Sequence, residues 1–292
     1  MKIGLQINNF TWPGGDEKIG ETLTEISSTA DEQGFYSLWV MDHFFQIGHV
    51  GRPEEPMLEA YTTLGFIAGV TKKVKLGTMV TGVIYREPAL LIKAVSALDV
   101  LSGGRAYFGI GAAWNEEESK ALGFYFPPLK ERFARLEETL KIAGQMFKGD
   151  EKPFSGEYYK LERPMNHPRV LSKPHPPILI GGGGEKKTLR LVAEYADACN
   201  LFARTGKEEL VHKLEVLKEH CKEVGRNYGD IEKTVLSMVD GEDLNPSEVI
   251  EECKSLRELG IDQVIYGIRN ISKIDPLKVF GSEIIPEVEK IS

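Results

Sequence analysis

Val74-Lys-Leu-Gly-Thr-Met-Val-Thr-Gly-Val83, then Pro88 to Leu101, then Arg105-Ala-Tyr-Phe-Gly-Ile-Gly-Ala-Ala-Trp114 runs as strand, helix and strand in a single pass. Both strand-like stretches end in small residues, and polar residues follow each. A repeating strand–helix unit with its chemistry gathered at strand ends is the building block of an α/β barrel. Working outward, the same alternation continues. Lys2–Ile7 reads as a strand, and Gly20–Gln33 carries Leu23, Ile26 and Ala30 at helical spacing, with Gly34 where a helix end favours positive φ. Phe35–Met41 is a second strand, Glu59–Val70 a helix, Val74–Val83 the third strand, Ala89–Leu101 its helix and Ala106–Gly111 the fourth strand. Leu129–Phe147 follows as a long helix with Phe133, Leu136, Leu140, Ala143 and Phe147 on one stripe. Ile178–Ile180, Ala198–Phe202, Thr234–Val239 and Gln263–Tyr266 complete the strands. Thr188–Tyr195, Glu208–Val224, Ser247–Leu259 and a segment within Pro276–Ile291 complete the helices. Eight such pairs predict an α/β fold, a single (β/α)8 TIM-barrel domain over residues 1–292, and not a doubly wound sheet. A barrel takes about 250 residues, which leaves room for an insertion. Gly149 to Pro177 fits that part: it is rich in proline, aromatics and charge and has no amphipathic period. A segment of this length is expected to be a functional loop over the barrel mouth, with Phe154, Tyr158 and Tyr159 either giving it an apolar side or packing on the side of the barrel.

Composition narrows the function. The apolar and charged fractions, 41% and 27%, are those of an ordinary globular protein. A net charge of −8 with no basic stripe argues against nucleic acid as a partner. Cys199, Cys221 and Cys253 are widely spread, form no Cys-x-x-Cys and point to a reducing compartment. No apolar run approaches the roughly 20 residues that span a bilayer, and Met1-Lys2-Ile3 enters a strand directly, so the expectation is a cytoplasmic protein with no signal peptide and no membrane partner. His49, His167, His175, His212 and His220 are scattered, no cluster has metal-ligand spacing, and no Gly-x-Ser-x-Gly elbow occurs, so metal and acyl-enzyme chemistry are not expected.

In barrels the active site forms at the strand C-terminal ends. Asp42-His43 follows the second strand, Thr81-Gly82 and Tyr85-Arg86-Glu87 the third, Ala112-Ala113-Trp114-Asn115 the fourth and Gly181-Gly-Gly-Gly184 the fifth. The four glycines lead into a helix, with Lys186, Lys187 and Arg190 nearby. Free backbone N–H groups there would cradle a phosphate; the alternative is a flexible tight turn. It is no Walker loop, because Lys186 stands where a second glycine is needed. Gly109-Ile-Gly-Ala-Ala-Trp114 has tryptophan where a dinucleotide motif has its third glycine, so its glycines read as making room for a flat ring. Trp114 is either a pocket wall or core. Asp42-His43 is the best acid–base candidate, since histidine titrates near neutrality; otherwise Asp42 caps a turn and His43 is structural. Arg86-Glu87 reads as a structural ion pair.

With these residues in view the chain closely resembles the bacterial-luciferase-like flavin and deazaflavin oxidoreductases. The resemblance runs through Leu38-Trp-Val-Met-Asp-His-Phe44, Leu76-Gly-Thr-Met-Val-Thr-Gly82, Tyr85-Arg-Glu-Pro-Ala89, Leu98-Asp-Val-Leu-Ser-Gly-Gly-Arg105, Gly109-Ile-Gly-Ala-Ala-Trp-Asn-Glu116 and Pro176-Pro-Ile-Leu-Ile-Gly-Gly-Gly-Gly184. Asn8-Asn-Phe-Thr-Trp-Pro-Gly14, Gln46-Ile-Gly48 and Glu54-Glu-Pro-Met-Leu-Glu59 are similar to the subgroup that depends on coenzyme F420. The resemblance implies a barrel that binds a flavin-type ring at its mouth, backed by a non-prolyl cis peptide at Met79-Val80 and by Thr81 beside it. It implies ring contact by Asp42 with His43 adjacent as the catalytic proton group, and a cofactor phosphate held by Gly181, Gly182, Gly183 and Gly184. Trp114 and Asn115 fall at the cofactor, where some deazaflavin sugar-phosphate dehydrogenases carry a catalytic glutamate, and that departure counts against a sugar-phosphate substrate. The implied activity is hydride transfer between F420 and a small organic substrate. Its alternatives are an FMN-dependent monooxygenase using reduced flavin and oxygen, a non-catalytic flavin-binding relative, and a cofactor-free lyase or hydrolase. Lys186, Lys187 and Arg190 would suit the acidic tail of a deazaflavin. A homodimer is the assembly such chains most often adopt.

Overall fold

The computed structural model describes residues 1–291. Eight parallel strands close a barrel: β1 (Lys2–Ile7), β2 (Ser37–Val40), β3 in two pieces (Lys75–Thr78 and Thr81–Gly82), β4 (Phe108–Gly111), β5 (Ile178–Gly181), β6 (Ala198–Phe202), β7 (Glu232–Asp240) and β8 (Gln263–Arg269). Each strand pairs with the next in sequence and β8 returns to β1, through Lys2↔Gln263 to Gln6↔Gly267. The third strand carries the seam. Its first piece pairs with β2 and its second with β4, and between them lies the cis peptide Met79–Val80.

The barrel interior is filled, as side chains of a small barrel must fill it. Trp39, Tyr107, Leu179, Ala198 and Ile265 are buried together there, with Met79, Val80 and Leu236 against them. Glycines make the room. A Cβ on Gly77 would lie 2.5 Å from the Trp39 ring, and one on Gly109 would lie 1.9 Å from the Thr78 carbonyl oxygen. Gly111 and Gly181 face each other across Val80, whose methyl groups would stand 2.9 Å from a Cβ on either. The expectation that Gly109 and Gly111 open space for a flat ring is therefore corrected: the seam of the barrel itself occupies that space.

Helices α1 (Ile19–Glu32), α2 (Ala60–Val70), α3 (Pro88–Leu101), α4 (Glu116–Ala121), α5 (Leu129–Lys148), α6 (Thr188–Tyr195), α7 (Lys207–Val224) and α8 (Pro246–Glu258) surround the sheet. At the C-terminal end α9 (Asp275–Val279) continues through a wide turn, Phe280–Ile284, into α10 (Ile285–Val288). The short α4 is absent from the sequence reading; Asn115 caps it by accepting the Glu118 amide at 3.2 Å. No helix among the described residues is long and apolar enough to cross a membrane.

The insertion lies elsewhere than expected. It leaves α5 at Gly149, whose φ of 75° ends the helix in the left-handed conformation, and returns to the start of β5. A helix-to-strand connection comes back to the strand N-terminal end, which is the face of a barrel away from its active site. Its hairpin, Phe154–Ser155 with Lys160–Leu161, is fastened to α5: the Glu138 carboxylate accepts the amides of Glu157, Tyr158 and Tyr159 at 2.7–3.1 Å. Arg135 stacks on the rings of Tyr158 and Tyr159. Asn166 donates to Ser96 at 2.9 Å, and Asp99 accepts the amides of Leu171 and Ser172 at 2.6 and 3.0 Å. None of these residues lines the mouth. The lid reading of Gly149–Pro177 is corrected, and the alternative for its aromatics holds: Phe154, Tyr158 and Tyr159 pack on the barrel's flank.

Candidate active site

A cavity of about 1350 Å³ opens at the strand C-terminal ends. Asn8 and Trp12 after β1, His43, Ile47 and His49 after β2, Met79 at the seam, Trp114 after β4, Phe202 at the end of β6 with Arg204 beyond it, and Arg269 at the end of β8 with Lys273 beyond it contribute to its wall. The loops after β1 and β2 are tied together by Gln46, whose side chain donates to the Asn8 carbonyl at 3.0 Å and accepts the Ile47 amide at 2.8 Å.

His43 is the titratable group best placed on this wall. Its Nδ1 stands 3.3–3.4 Å from both oxygens of Glu118, and its ring meets Trp114 edge-on at 5.4 Å. Glu118 is fully buried on α4. Its Oε2 accepts the amides of Phe44 and Phe45, each at 3.0 Å, and its Oε1 accepts the Tyr85 hydroxyl at 2.8 Å. Burial alone would raise the carboxyl pKa; the hydrogen bonds from His43, the Phe45 amide and Tyr85 outweigh it and hold the pKa below the ordinary glutamate value. A carboxylate only accepts, so Nδ1 carries the proton of the neutral ring, and Nε2 is left for the cavity.

Asp42 takes a different environment from its neighbour. It is 1% exposed and absent from the cavity wall. Both its oxygens accept from Arg86, at 2.6 and 2.9 Å, and Arg86 also donates to Glu59 and stacks on Tyr61. Burial pushes the Asp42 carboxyl above its usual range, against the pull of the guanidinium. The expected Arg86–Glu87 pair is corrected: Arg86 turns inward to Asp42 and Glu59, since a buried carboxylate demands a counter-charge more than an exposed one does.

The other residues singled out from sequence divide into two groups. Met79 lies on the cavity floor and Trp114, 60% exposed, on its wall. Thr81 is buried behind the seam, bonded to Tyr61 at 2.9 Å and Thr78 at 3.0 Å; Val80 fills the gap between Gly111 and Gly181; and Asn115 is spent on capping α4. Gly181–Gly184 connect the end of β5 to α6, and none of the four lines the cavity. Among the described residues the Gly183 and Gly184 amides find no acceptor, and Lys213 reaches the Gly183 carbonyl at 2.9 Å. Lys186 and Lys187 are exposed, whereas Arg190 is engaged by Glu194 and Glu223. Tyr85 was placed at a strand end without a role, and Glu118 was missed as a site residue. Glu118 ends the run Glu116-Glu-Glu118, which reads as a solvated helix face, and only the Asn115-x-x-Glu118 capping spacing marks it.

A flavin-type cofactor fits these residues. The cavity is large enough, has a sulfur-bearing floor and an indole wall, and its Trp12 keeps a buried indole N–H with no acceptor among the described residues. Arg204 and Arg269 have no carboxylate within 4 Å among the described residues, so the far rim is cationic on an acidic chain.

Residues 1–240 match the model of the luciferase-like monooxygenases. An F420-dependent glucose-6-phosphate dehydrogenase of Kineococcus radiotolerans is 31% identical over 80% of this chain and 67% of its own length; that of Amycolatopsis mediterranei is 31% identical over 73% and 63%. The chain thus spans about two thirds of the length of these curated relatives. Among solved structures, an F420-dependent secondary alcohol dehydrogenase in complex with an F420-acetone adduct superposes with a TM-score of 0.81 at 19% identity, covering 98% of both chains. The oxygenating component of 3,6-diketocamphane monooxygenase from Pseudomonas putida, in complex with FMN, superposes at 0.75 and 17% identity over 100% of this chain and 99% of its own. These likenesses establish a shared fold.

Proposed function

We propose a reaction from one premise: the chain belongs to the luciferase-like monooxygenase family, whose members use F420 or FMN. The reading we favour is hydride transfer between coenzyme F420 and a small organic substrate, with His43 giving or taking the accompanying proton at Nε2. The observation that carries it is the cavity-facing imidazole backed by a buried carboxylate, the arrangement that orients a general acid–base histidine. The deazaflavin, when bound, supplies two-electron hydride chemistry. The chain does the rest. Glu118 fixes the tautomer and direction of His43, Met79 and Trp114 bound the ring site, and the Gly183 and Gly184 amides are suited to a phosphate. Asp42 and Arg86 hold the base of the loop that carries His43, and Arg204 and Arg269, without a carboxylate partner among the described residues, suit an anionic group of cofactor or substrate.

The F420-dependent relatives support this choice of cofactor over FMN. The test is a fluorescence-quenching titration with oxidised F420 and with FMN, read through the exposed Trp114. Tighter binding of F420 supports hydride transfer. Tighter binding of FMN overturns it in favour of the oxygen-activating branch, and binding of neither removes the cofactor reading altogether. Binding of F420 without hydride exchange toward any acceptor would leave a non-catalytic relative.

A further inference from the structure

We propose that Tyr85 is a positioning residue for His43, acting through the carboxylate that both hold. Tyr85 lies between the seam strand and α3, with its ring packed against Phe44 and Phe124 at 5.2 and 5.6 Å and its hydroxyl 2.8 Å from Glu118 Oε1. The two amides of Phe44 and Phe45 occupy Oε2. His43 Nδ1 is the last donor to arrive, and it sits 3.3–3.4 Å from both oxygens, longer than the roughly 2.7–2.9 Å of an ordinary charge-assisted bond. The geometry has a direct cause. Each lobe of the carboxylate is already taken by a closer donor, so Glu118 aims the imidazole without gripping it. A ring that must pass a proton to a ligand benefits from that looseness; a tight ion pair would hold the proton on His43.

Tyr85 sets this balance because it is the closer donor at Oε1, 2.8 Å away against 3.4 Å for His43 Nδ1. Among the described residues no charged side chain other than His43 bonds Glu118. Asp42 is spent on Arg86, Glu59 also binds Arg86, Tyr61 bonds Thr81, and on α4 itself Glu116 pairs outward with Lys120. The inference deepens the proposed role of His43 and rests on that reading for its functional meaning. Its test needs neither cofactor nor substrate, so a failed cofactor titration leaves it standing.

The experiment is side-chain NMR of isotopically labelled protein, comparing the parent with Tyr85→Phe, which keeps the packed ring and removes the hydroxyl. With one charged-acceptor bond lost, the Glu118 carboxyl resonance should titrate about one pH unit higher. The His43 Nδ1–H proton should move downfield as its bond to the vacated lobe shortens. A fall in thermal stability with neither signal moved would make Tyr85 merely structural and overturn the proposal, as would no change at all. Should Tyr85→Phe not fold, 3,5-difluorotyrosine at position 85 keeps the size and strengthens the donor. The Glu118 midpoint must then move down, and an unmoved midpoint overturns the proposal.

Discussion

Two long irregular segments, the excursion from Asp42 to Glu59 and the insertion from Gly149 to Pro177, are fastened by the same device and serve opposite ends of the barrel. In each, a carboxylate on a neighbouring helix collects main-chain amides: Glu118 takes those of Phe44 and Phe45, Glu138 those of Glu157, Tyr158 and Tyr159. On the flank the device stops there. At the mouth the same carboxylate also holds His43 and Tyr85, and the base of the excursion is closed by Arg86 between Asp42 and Glu59. Length and irregularity do not mark a functional loop; what else its anchors touch does.

The comparison can be broken by removing anchors one at a time. Glu118→Ala should cost the most, about 3–5 kcal/mol of unfolding free energy in chemical denaturation, because it removes a fully buried acceptor from donors at four positions, one buried and three part-buried. The loss is pH-dependent in a definite sense. The folded pKa of Glu118 lies below its unfolded value, so its contribution is complete above the unfolded pKa and disappears as pH falls through the folded one. Glu118→Gln should therefore flatten the acid limb of the stability curve, and an unchanged limb would separate Glu118 from the network.

Arg86→Met comes next, at about 2–4 kcal/mol near neutral pH, since Asp42 is left buried without its counter-charge. Burial already raises the Asp42 pKa, so the orphaned carboxyl escapes part of the penalty by protonation. A raised folded pKa means stability present at low pH and lost as pH rises, so the deficit against the parent should widen with pH. A deficit that narrows would show that Asp42 is not the group left behind. Glu138→Ala should cost less, about 1–2 kcal/mol, because the amides of exposed Glu157 and half-buried Tyr158 can turn to water. It should leave the cofactor titration unchanged; weakened cofactor binding would erase the distinction between flank and mouth. The smallest effect belongs to Lys186→Ala with Lys187→Ala. Stability should move by under about 0.5 kcal/mol, while the advantage of tail-bearing over tail-less F420 at low salt should shrink.

The fold was readable because its signals are local and repeated. Strand alternation at Lys2–Ile7 and Ala198–Phe202, and the stripe from Phe133 to Phe147, each require only neighbours in sequence. The place of His43 on the cavity wall was readable because strand ends of a barrel open into its mouth. Glu118 was not, since its burial depends on how α4 folds back over the second strand, a fact no run of three glutamates discloses. The partner of Arg86 was misread for a similar reason: Glu87 is adjacent in sequence, whereas Asp42 and Glu59 are adjacent only in space. The site of the insertion followed from topology, and composition alone does not carry topology.

Val80, seated between Gly111 and Gly181, makes the size allowed at each of three distant positions depend on the other two. A lineage that enlarges residue 111 or 181 has no room to keep valine at 80, and one that shrinks residue 80 leaves a gap both neighbours can grow into. The three should pass between relatives as a set. A chimera that exchanges one of them is expected to fail where a chimera exchanging all three succeeds.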